Sequence, residues 1–363
     1  MMSPIIGHPL GMRVTVIGAT GNVGTALMRR LSAEPAVTEL VGVSRRAPEL
    51  SLPKTRWEQA DISRGGDLVS LLRGSDAVVH LAWLIQPSRH EDVTRATNVE
   101  GSRRVFEAAA KAAVPRLLYA SSVGAYAEGP KDRAVDESWP ATGIATSFYS
   151  RHKAATEAML DGLERAHPEI RIVRLRKGLI FGREAASGIR RLFAGPLLPS
   201  FLLRPSLIPV VPAHERLVFQ AVHRDDVAEA YRLALLDDDA RGAYNVAAGP
   251  VLDSAELARI LGARPVPVPA GVLRAAADLT WRAHLQPTEP GWVDLGLGVP
   301  VMDIARARDE LGWAPRHTAS EALLELIDGM RENAGGPTPS LDPSTGGPAR
   351  VREFLTGIGH TSK

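Results

Sequence analysis

Short apolar runs alternate, through the first half of the chain, with longer stretches in which apolar residues recur every three or four positions. The apolar runs fall at 13–17, 38–43, 76–81, 115–120 and 170–176, and the helical patterns at 22–33, 91–112 and 148–166. A solid apolar run bounded by turn residues reads as a buried strand and a 3.6-residue period as a helix, so the rhythm predicts a parallel sheet with crossover helices. The stretch Thr97 to Ala113 is rich in helix formers, and Pro115 marks where the next strand begins.

The pattern changes after residue 182. Arginine, proline and bulky aliphatic residues follow one another with little periodicity up to about Pro212, which reads as a cover over a cleft. Leu217 to Val222 is strand-like and predicted to return to the sheet, a helix starts near Arg224-Asp225-Asp226, and Ala243 to Val246 reads as one more strand. Helical patterns near 253–261, 270–284, 303–311 and 319–331 predict a smaller C-terminal lobe. The expected fold is α/β, a doubly wound parallel sheet over 12–182 and 217–247, with a substrate-binding lobe over 183–216 and 248–331. Residues 333–363 are polar and rich in Gly and Pro, so they are expected to be a disordered tail.

Composition narrows the class without adding to it. With 363 residues, 45% hydrophobic and 23% charged, the chain has room for one large domain or two lobes of an ordinary globular protein. A formal net charge of +2 gives no reason to expect a nucleic-acid partner. The absence of cysteine excludes disulfides and thiolate metal sites and fits a reducing compartment. No basic segment followed by an apolar core opens the chain, and residues 1–11 read as a ragged leader. The stretch Leu192 to Pro212 is interrupted by Pro196, Pro199, Arg204, Pro205 and Pro209, so no membrane span is expected and a cytoplasmic location follows by default.

The chemistry begins at Val14-Thr15-Val16-Ile17-Gly18-Ala19-Thr20-Gly21-Asn22-Val23-Gly24, an apolar strand running into glycines spaced by three. Gly18 permits a sharp exit from the strand, Gly21 lets backbone approach a pyrophosphate, and Gly24 lets the following helix pack closely. Unpaired N–H groups at that helix start would hold the phosphates, which points to a dinucleotide. Further on, Tyr149-Ser150-Arg151-His152-Lys153 sets a phenol and an ammonium four residues apart on one helical face. An ammonium beside a phenol favours the phenolate and moves its pKa toward the working range of a general acid or base. Lys153 is therefore expected to tune Tyr149 and to hydrogen-bond a cofactor ribose. With no Cys and no His, Asp or Glu clustered along the sequence, no metal is expected.

On these residues the chain resembles an extended short-chain dehydrogenase/reductase of the NAD(P)-dependent epimerase/dehydratase superfamily, over roughly 12–331. The likeness continues through Asp61-Ile62, matching the family's adenine contact, and Val79-His80-Leu81-Ala82, matching the loop beside the cofactor. Asn98-Val99-Glu100-Gly101 matches the helix that follows, and Ala120-Ser121-Ser122-Val123-Gly124-Ala125-Tyr126 the strand end with Ser122 on the catalytic position. Arg176-Lys177-Gly178-Leu179-Ile180-Phe181-Gly182 resembles the turn whose backbone meets the carboxamide, His223-Arg224-Asp225-Asp226 the late strand-to-helix junction, and Asp303 with Glu310 to Pro315 the closing signature. The resemblance implies Ser122, Tyr149 and Lys153 as the catalytic set. It implies cofactor contacts from Gly18, Thr20, Gly21, Asn22, Val23, Gly24, Leu81, Ala82, Asn98, Gly178 and Ile180 besides. It also implies a homodimer through the helices near 91–112 and 148–166. Single members have plainer readings: Ser121 satisfying backbone groups, Asp226 capping a helix, Asn98 fixing local backbone, and His223 and His152 packed.

Where a fold that prefers NAD offers an acid after the second strand, this chain has Ser44-Arg45-Arg46. A guanidinium there suits a 2′-phosphate, so NADP is the expected cofactor, with NAD as the alternative. Relatives that act on nucleotide sugars carry an arginine four residues before the junction histidine and another in the C-terminal lobe. Here the first place is Phe219, and 286–298 holds no arginine. Ile189, Leu192, Phe193, Leu197, Leu198, Phe201, Leu202, Leu203, Trp281 and Trp292 predict a largely apolar pocket, with Arg183, Arg190, Arg191 and Arg204 able to meet an anionic group. The leading expectation is an oxidoreductase that interconverts a carbonyl and a secondary alcohol on a small or moderately apolar substrate. The alternatives are a nucleotide-sugar epimerase or dehydratase using the same Ser, Tyr and Lys, and a redox-sensing binding protein, which the Tyr/Lys pair argues against.

Overall fold

Strand β1 (Met12–Ile17) is buried almost throughout because it lies inside a seven-stranded sheet, where both faces are covered. In the computed structural model, which describes residues 11–86, 89–189, 208–286 and 288–342, the other strands are β2 (Val37–Ser44), β3 (Thr55–Gln59), β4 (Ala77–His80), β5 (Arg116–Ser122), β6 (Arg171–Lys177) and β7 (Gly242–Val246). Every pairing is parallel, and the order is β7-β6-β5-β4-β1-β2-β3. The chain therefore leaves β1 toward one edge and returns through β4 toward the other. That reversal opens a crevice at the carboxyl ends of β1 and β4.

Helices cover both faces. Alternating strand residues send Val14, Val16, Leu118 and Leu175 to one side, where α1 (Asn22–Ser32) supplies Leu27 and Leu31 and α4 (Arg224–Leu236) supplies Tyr231. Ile17, Val41, Val78 and Ile172 face the other side, against Val105 and Phe106 of α2 (Ser102–Lys111) and Leu160 of α3 (Phe148–Ala166). The fold is thus the expected Rossmann-type α/β sheet.

Four features depart from the sequence expectations. Strand β3, Thr-Arg-Trp-Glu-Gln, shows no apolar run because it is an edge strand. Its Trp57 lies so close to Gly42 of β2 that a Cβ there would strike the indole. The helix expected over 91–112 is divided into Glu91–Arg95, a π-helical turn Ala96–Gly101, and α2. Phe219–His223 does not return to the main sheet. It pairs with Leu179–Phe181 and Ala248–Leu252 in a separate three-stranded sheet, because the chain changes sheet at Gly178, where a Cβ would lie 2.5 Å from the Gln220 carbonyl oxygen. Finally, residues 333–342 of the expected tail are ordered by packing: Thr338 and Leu341 are buried, and Ser187 Oγ donates to the Leu341 carbonyl at 3.2 Å. The rest of that tail, 343–363, and 190–207 of the cover lie outside the described residues. No helix among the described residues is long and apolar enough to cross a membrane.

Candidate active site

The glycine loop closes the amino end of the crevice. Gly18 has φ +87° and lies so near the next strand's exit that a Cβ would sit 2.6 Å from the Ala82 amide nitrogen. A Cβ on Gly24 would strike the Gly18 carbonyl oxygen and lie 2.7 Å from the Ala19 carbonyl carbon, so α1 packs against β1 only with glycine there. Gly21 is the N-cap residue of α1, and no side chain caps the helix. Its first amides are left without an intrahelical acceptor. Asn22 Oδ1 is buried with no hydrogen-bond partner, while Val23 packs on the core. An uncapped helix start, whose first amides have no intrahelical acceptor, fits the phosphates of a dinucleotide.

The neighbouring strand ends supply the flanks. Leu81 N donates to Ile17 O at 2.8 Å, which holds Leu81 and Ala82 beside Gly18. Asn98 sits in the π-helical turn and makes a two-way bond with Leu84, donating to its carbonyl and accepting from its amide, both at 2.7 Å. It fixes the loop after β4. Arg45 and Arg46 are exposed at the end of β2, and Ser44 Oγ donates to the Arg46 carbonyl at 2.7 Å. Asp61 accepts from Ser63 N at 3.0 Å and Ser63 Oγ at 2.6 Å, closing its own turn, while Ile62 is buried under Gly101. Gly178 N donates to Val246 O at 3.1 Å, and Ile180 pairs with Val222 in the second sheet.

Ser122, Tyr149 and Lys153 converge at the carboxyl end of β5. Ser122, 8% exposed, accepts from Gly124 N at 3.0 Å and hydrogen-bonds the Tyr149 hydroxyl. Gly124 gives the phenol its place: a Cβ there would lie 2.8 Å from Tyr149 Cε1. Tyr149 lies between two indoles, edge-on to Trp83 at 5.8 Å and tilted against Trp292 at 5.0 Å. Lys153, 3% exposed, donates to the Ala120 carbonyl at 2.6 Å and rests its ammonium on the Trp83 ring, 3.4 Å from the centroid.

The electrostatics differ from the expectation that Lys153 lowers the phenol's pKa. Burial pushes Tyr149 up to about 12, and only the Ser122 hydrogen bond acts the other way. The ammonium is turned to Ala120 and Trp83, 5.8 Å from the phenol centroid. Burial, and then the charge of Lys177, in turn hold Lys153 well below its ordinary value. Lys177 itself is buried, donates to the Tyr231 hydroxyl at 3.0 Å, and is brought down to about 7 by burial.

Sequence reasoning missed several members. Gly124 stands inside a quoted motif without a stated role and Trp83 one residue past another, and nothing short of the folded geometry reveals their part. Ser121 bonds the buried Glu157 carboxylate rather than backbone, and Glu157 also pairs with Arg176 and Arg174 at 3.0 and 3.1 Å. Asp226 does not cap α4, a role taken by His223. It accepts instead from His317 N and Nδ1, both at 3.0 Å. The fold thereby gathers His223, Asp226 and His317 within 4.8 Å, a set of potential metal ligands that sequence distance hides. The two imidazoles are stacked at 4.1 Å with a 35° tilt, and His223 Nε2 lies 3.1 Å from Glu325 Oε2. His152 is buried, and burial lowers it to about 4. Of the predicted pocket, Ile189 belongs to the core around Phe181, and Trp292 is the wall beside Tyr149. Leu192, Phe193, Leu197, Leu198, Phe201, Leu202 and Leu203 lie outside the described residues.

Known proteins carry the same architecture. An uncharacterised protein of Mycobacterium tuberculosis is 28% identical over 325 residues, covering 89% of this chain, which spans only 31% of that relative's length. A dTDP-6-deoxy-L-talose 4-dehydrogenase (NAD(P)+) of Kitasatospora kifunensis is 30% identical over 330 residues, covering 88% of this chain and 96% of the relative. Among solved structures, MoeE5 in complex with UDP-glucuronic acid and NAD superimposes with a TM-score of 0.66 at 22% identity, covering 88% of this chain and 99% of that one. The profile of the NAD dependent epimerase/dehydratase family matches residues 14–247. With its glycine loop, sheet and Ser-Tyr-Lys cluster in place, this chain is an enzyme belonging to the NAD-dependent epimerase/dehydratase family.

Proposed function

We propose that the enzyme acts on a nucleotide-linked sugar, interconverting a secondary alcohol and a carbonyl on the sugar ring through Ser122, Tyr149 and Lys153. The observation that carries this reading is the convergence of the three side chains on one strand end beside the Trp292 indole, 5.0 Å from Tyr149. An indole face suits the C–H face of a pyranose ring, and the reacting hydroxyl would then meet Tyr149 and Ser122. The relatives described above, one a sugar-nucleotide dehydrogenase and one bound to UDP-glucuronic acid, support it over the small apolar carbonyl that the sequence favoured.

Gly18, Thr20, Gly21, Asn22, Val23 and Gly24 would hold a nicotinamide dinucleotide, which would supply the hydride acceptor and donor. Tyr149 moves the proton at the substrate oxygen, and the Ser122 hydroxyl holds that same oxygen. Lys153 would hold the dinucleotide ribose and bring its charge to bear on the phenol. Arg45 and Arg46 favour NADP, with NAD as the alternative. A second reading, net reduction of an apolar ketone, draws on Phe219 at the arginine position and the absence of arginine from 286–298.

The test incubates the enzyme with UDP- and dTDP-hexoses and with a panel of aromatic and aliphatic ketones, following nicotinamide absorbance and identifying products by NMR. Turnover of a sugar nucleotide that falls roughly 100-fold or more in Tyr149→Phe, with cofactor binding kept, is the expected result. Turnover of ketones alone would move the assignment to the second reading, and full activity in Tyr149→Phe would refute both.

A further inference from the structure

Residues 336–342 lie beyond every motif read from the sequence, yet they pack on the dinucleotide loop. Thr338, 1% exposed, donates its hydroxyl to the Thr20 carbonyl at 2.7 Å, and Ser340 Oγ lies 3.2 Å from Thr20 Oγ1. Next to them the Pro339 carbonyl accepts from Arg46 Nη2 at 3.5 Å. One short strap thus bridges the glycine loop and the end of β2, the two segments that flank a ribose 2′ substituent in a dinucleotide fold. Its own shape is pinned by Leu341, whose carbonyl accepts from Gly336 N at 2.9 Å and from Ser187 Oγ at 3.2 Å.

The contacts differ in strength. The Thr338 bond is short and buried, so the strap stays on the loop; the Arg46 bond is long and exposed, so the guanidinium can leave a neutral carbonyl for a charged partner. Charge permits that exchange. Thr338, Pro339 and Ser340, which meet the loop and Arg46, carry no charge, the strap's one acid, Asp342, follows them after Leu341, and the nearby Glu184 is engaged by Arg29 and Arg224 at 2.9 Å each.

We propose that the strap forms the outer wall of a subsite for the 2′-phosphate of a dinucleotide, with the Ser340 hydroxyl and the Arg46 guanidinium, beside Arg45, as its donors. The inference rests on the dinucleotide reading above and adds a residue from the far end of the chain to it. Ser340 is exposed, so its substitution leaves the fold alone.

Equilibrium titrations of NADPH and NADH with the full chain, Ser340→Ala and Ser340→Asp test it. Ser340→Ala is expected to weaken NADPH by about tenfold, the loss of one hydrogen bond to a charged group. Ser340→Asp, which sets a carboxylate against the phosphate, is expected to weaken it by roughly 100-fold or more. NADH binding should stay as in the parent for both, which also reports an intact fold. A parent that prefers NADPH, with a ratio unmoved in both variants, overturns the strap while leaving the arginines in place. A parent that binds NADH more tightly overturns the 2′-phosphate reading itself.

Discussion

Glu157 ties the architecture of the site to a measurable quantity. It lies one helical turn beyond Lys153, is 2% exposed, and receives the Ser121 hydroxyl, Arg176 Nε and Nη2 at 3.0 Å, and Arg174 Nη1 at 3.1 Å. Burial pushes its carboxyl up, but the Arg176 hydrogen bonds, the charges of Arg176 and Arg174 and the Ser121 hydroxyl more than offset this and hold it at about 2 against an ordinary 4.5. At about 1.4 kcal/mol per pH unit that difference amounts to about 3 kcal/mol of stability. The folded value lies below the unfolded one, so this contribution is complete above pH 4.5 and disappears as pH falls toward about 2. Glu157→Gln keeps the shape and removes the charge, leaving Arg176 buried without a carboxylate; the expected loss at neutral pH is about 3–5 kcal/mol. For a chain of this length that lowers Tm by roughly 4–7 °C. Calorimetric unfolding of parent and variant across the acid range isolates the residue, because every other carboxylate titrates in both. A gap under about 1 kcal/mol at neutral pH, or a gap that does not narrow in acid, would refute the account.

Two further outcomes follow from the loop and the indole. Gly24→Ala drives a methyl into the Gly18 carbonyl and displaces α1, so it should cost roughly 1–3 kcal/mol and weaken dinucleotide binding at least about tenfold; titration and thermal melting with parent values would contradict the role given to the loop. Addition of the oxidised dinucleotide should change indole emission as Lys153 leaves Trp83, and Trp83→Phe should abolish most of that change; a change of full size in the variant refutes the exchange.

The sheet was legible because its interior strands are buried on both faces and so read as solid apolar runs, as Val14 to Ile17 and Val78 to Val79 do. β3 escaped that pattern, since an edge strand needs only Trp57 to anchor it. The return of 217–222 was misplaced for a different reason. Hydrophobic alternation identifies a strand but not its partner, and the partner here was decided by a backbone contact at Gly178 with Gln220. The ordered strap was illegible for the converse reason. Its Gly- and Pro-rich composition offers little apolar surface, yet burying Thr338 and Leu341 suffices because the Thr20 loop it docks on is already folded.

At the Ser-Tyr-Lys cluster, the four-residue spacing of Tyr149 and Lys153 places both on one face of α3, with Tyr149 against Ser122 and Lys153 on Ala120. Spacing alone does not choose the ammonium's partner. A buried lysine takes the best acceptor within reach, and the fold offers it the Ala120 carbonyl and the Trp83 face while leaving the phenol to its burial. Burial works against proton transfer by the phenol, and the proposed chemistry has the Lys153 charge counter it. Ribose hydroxyls reaching Nζ would supply the alternative acceptors, and dinucleotide binding would then arm the phenol as well as bring the hydride.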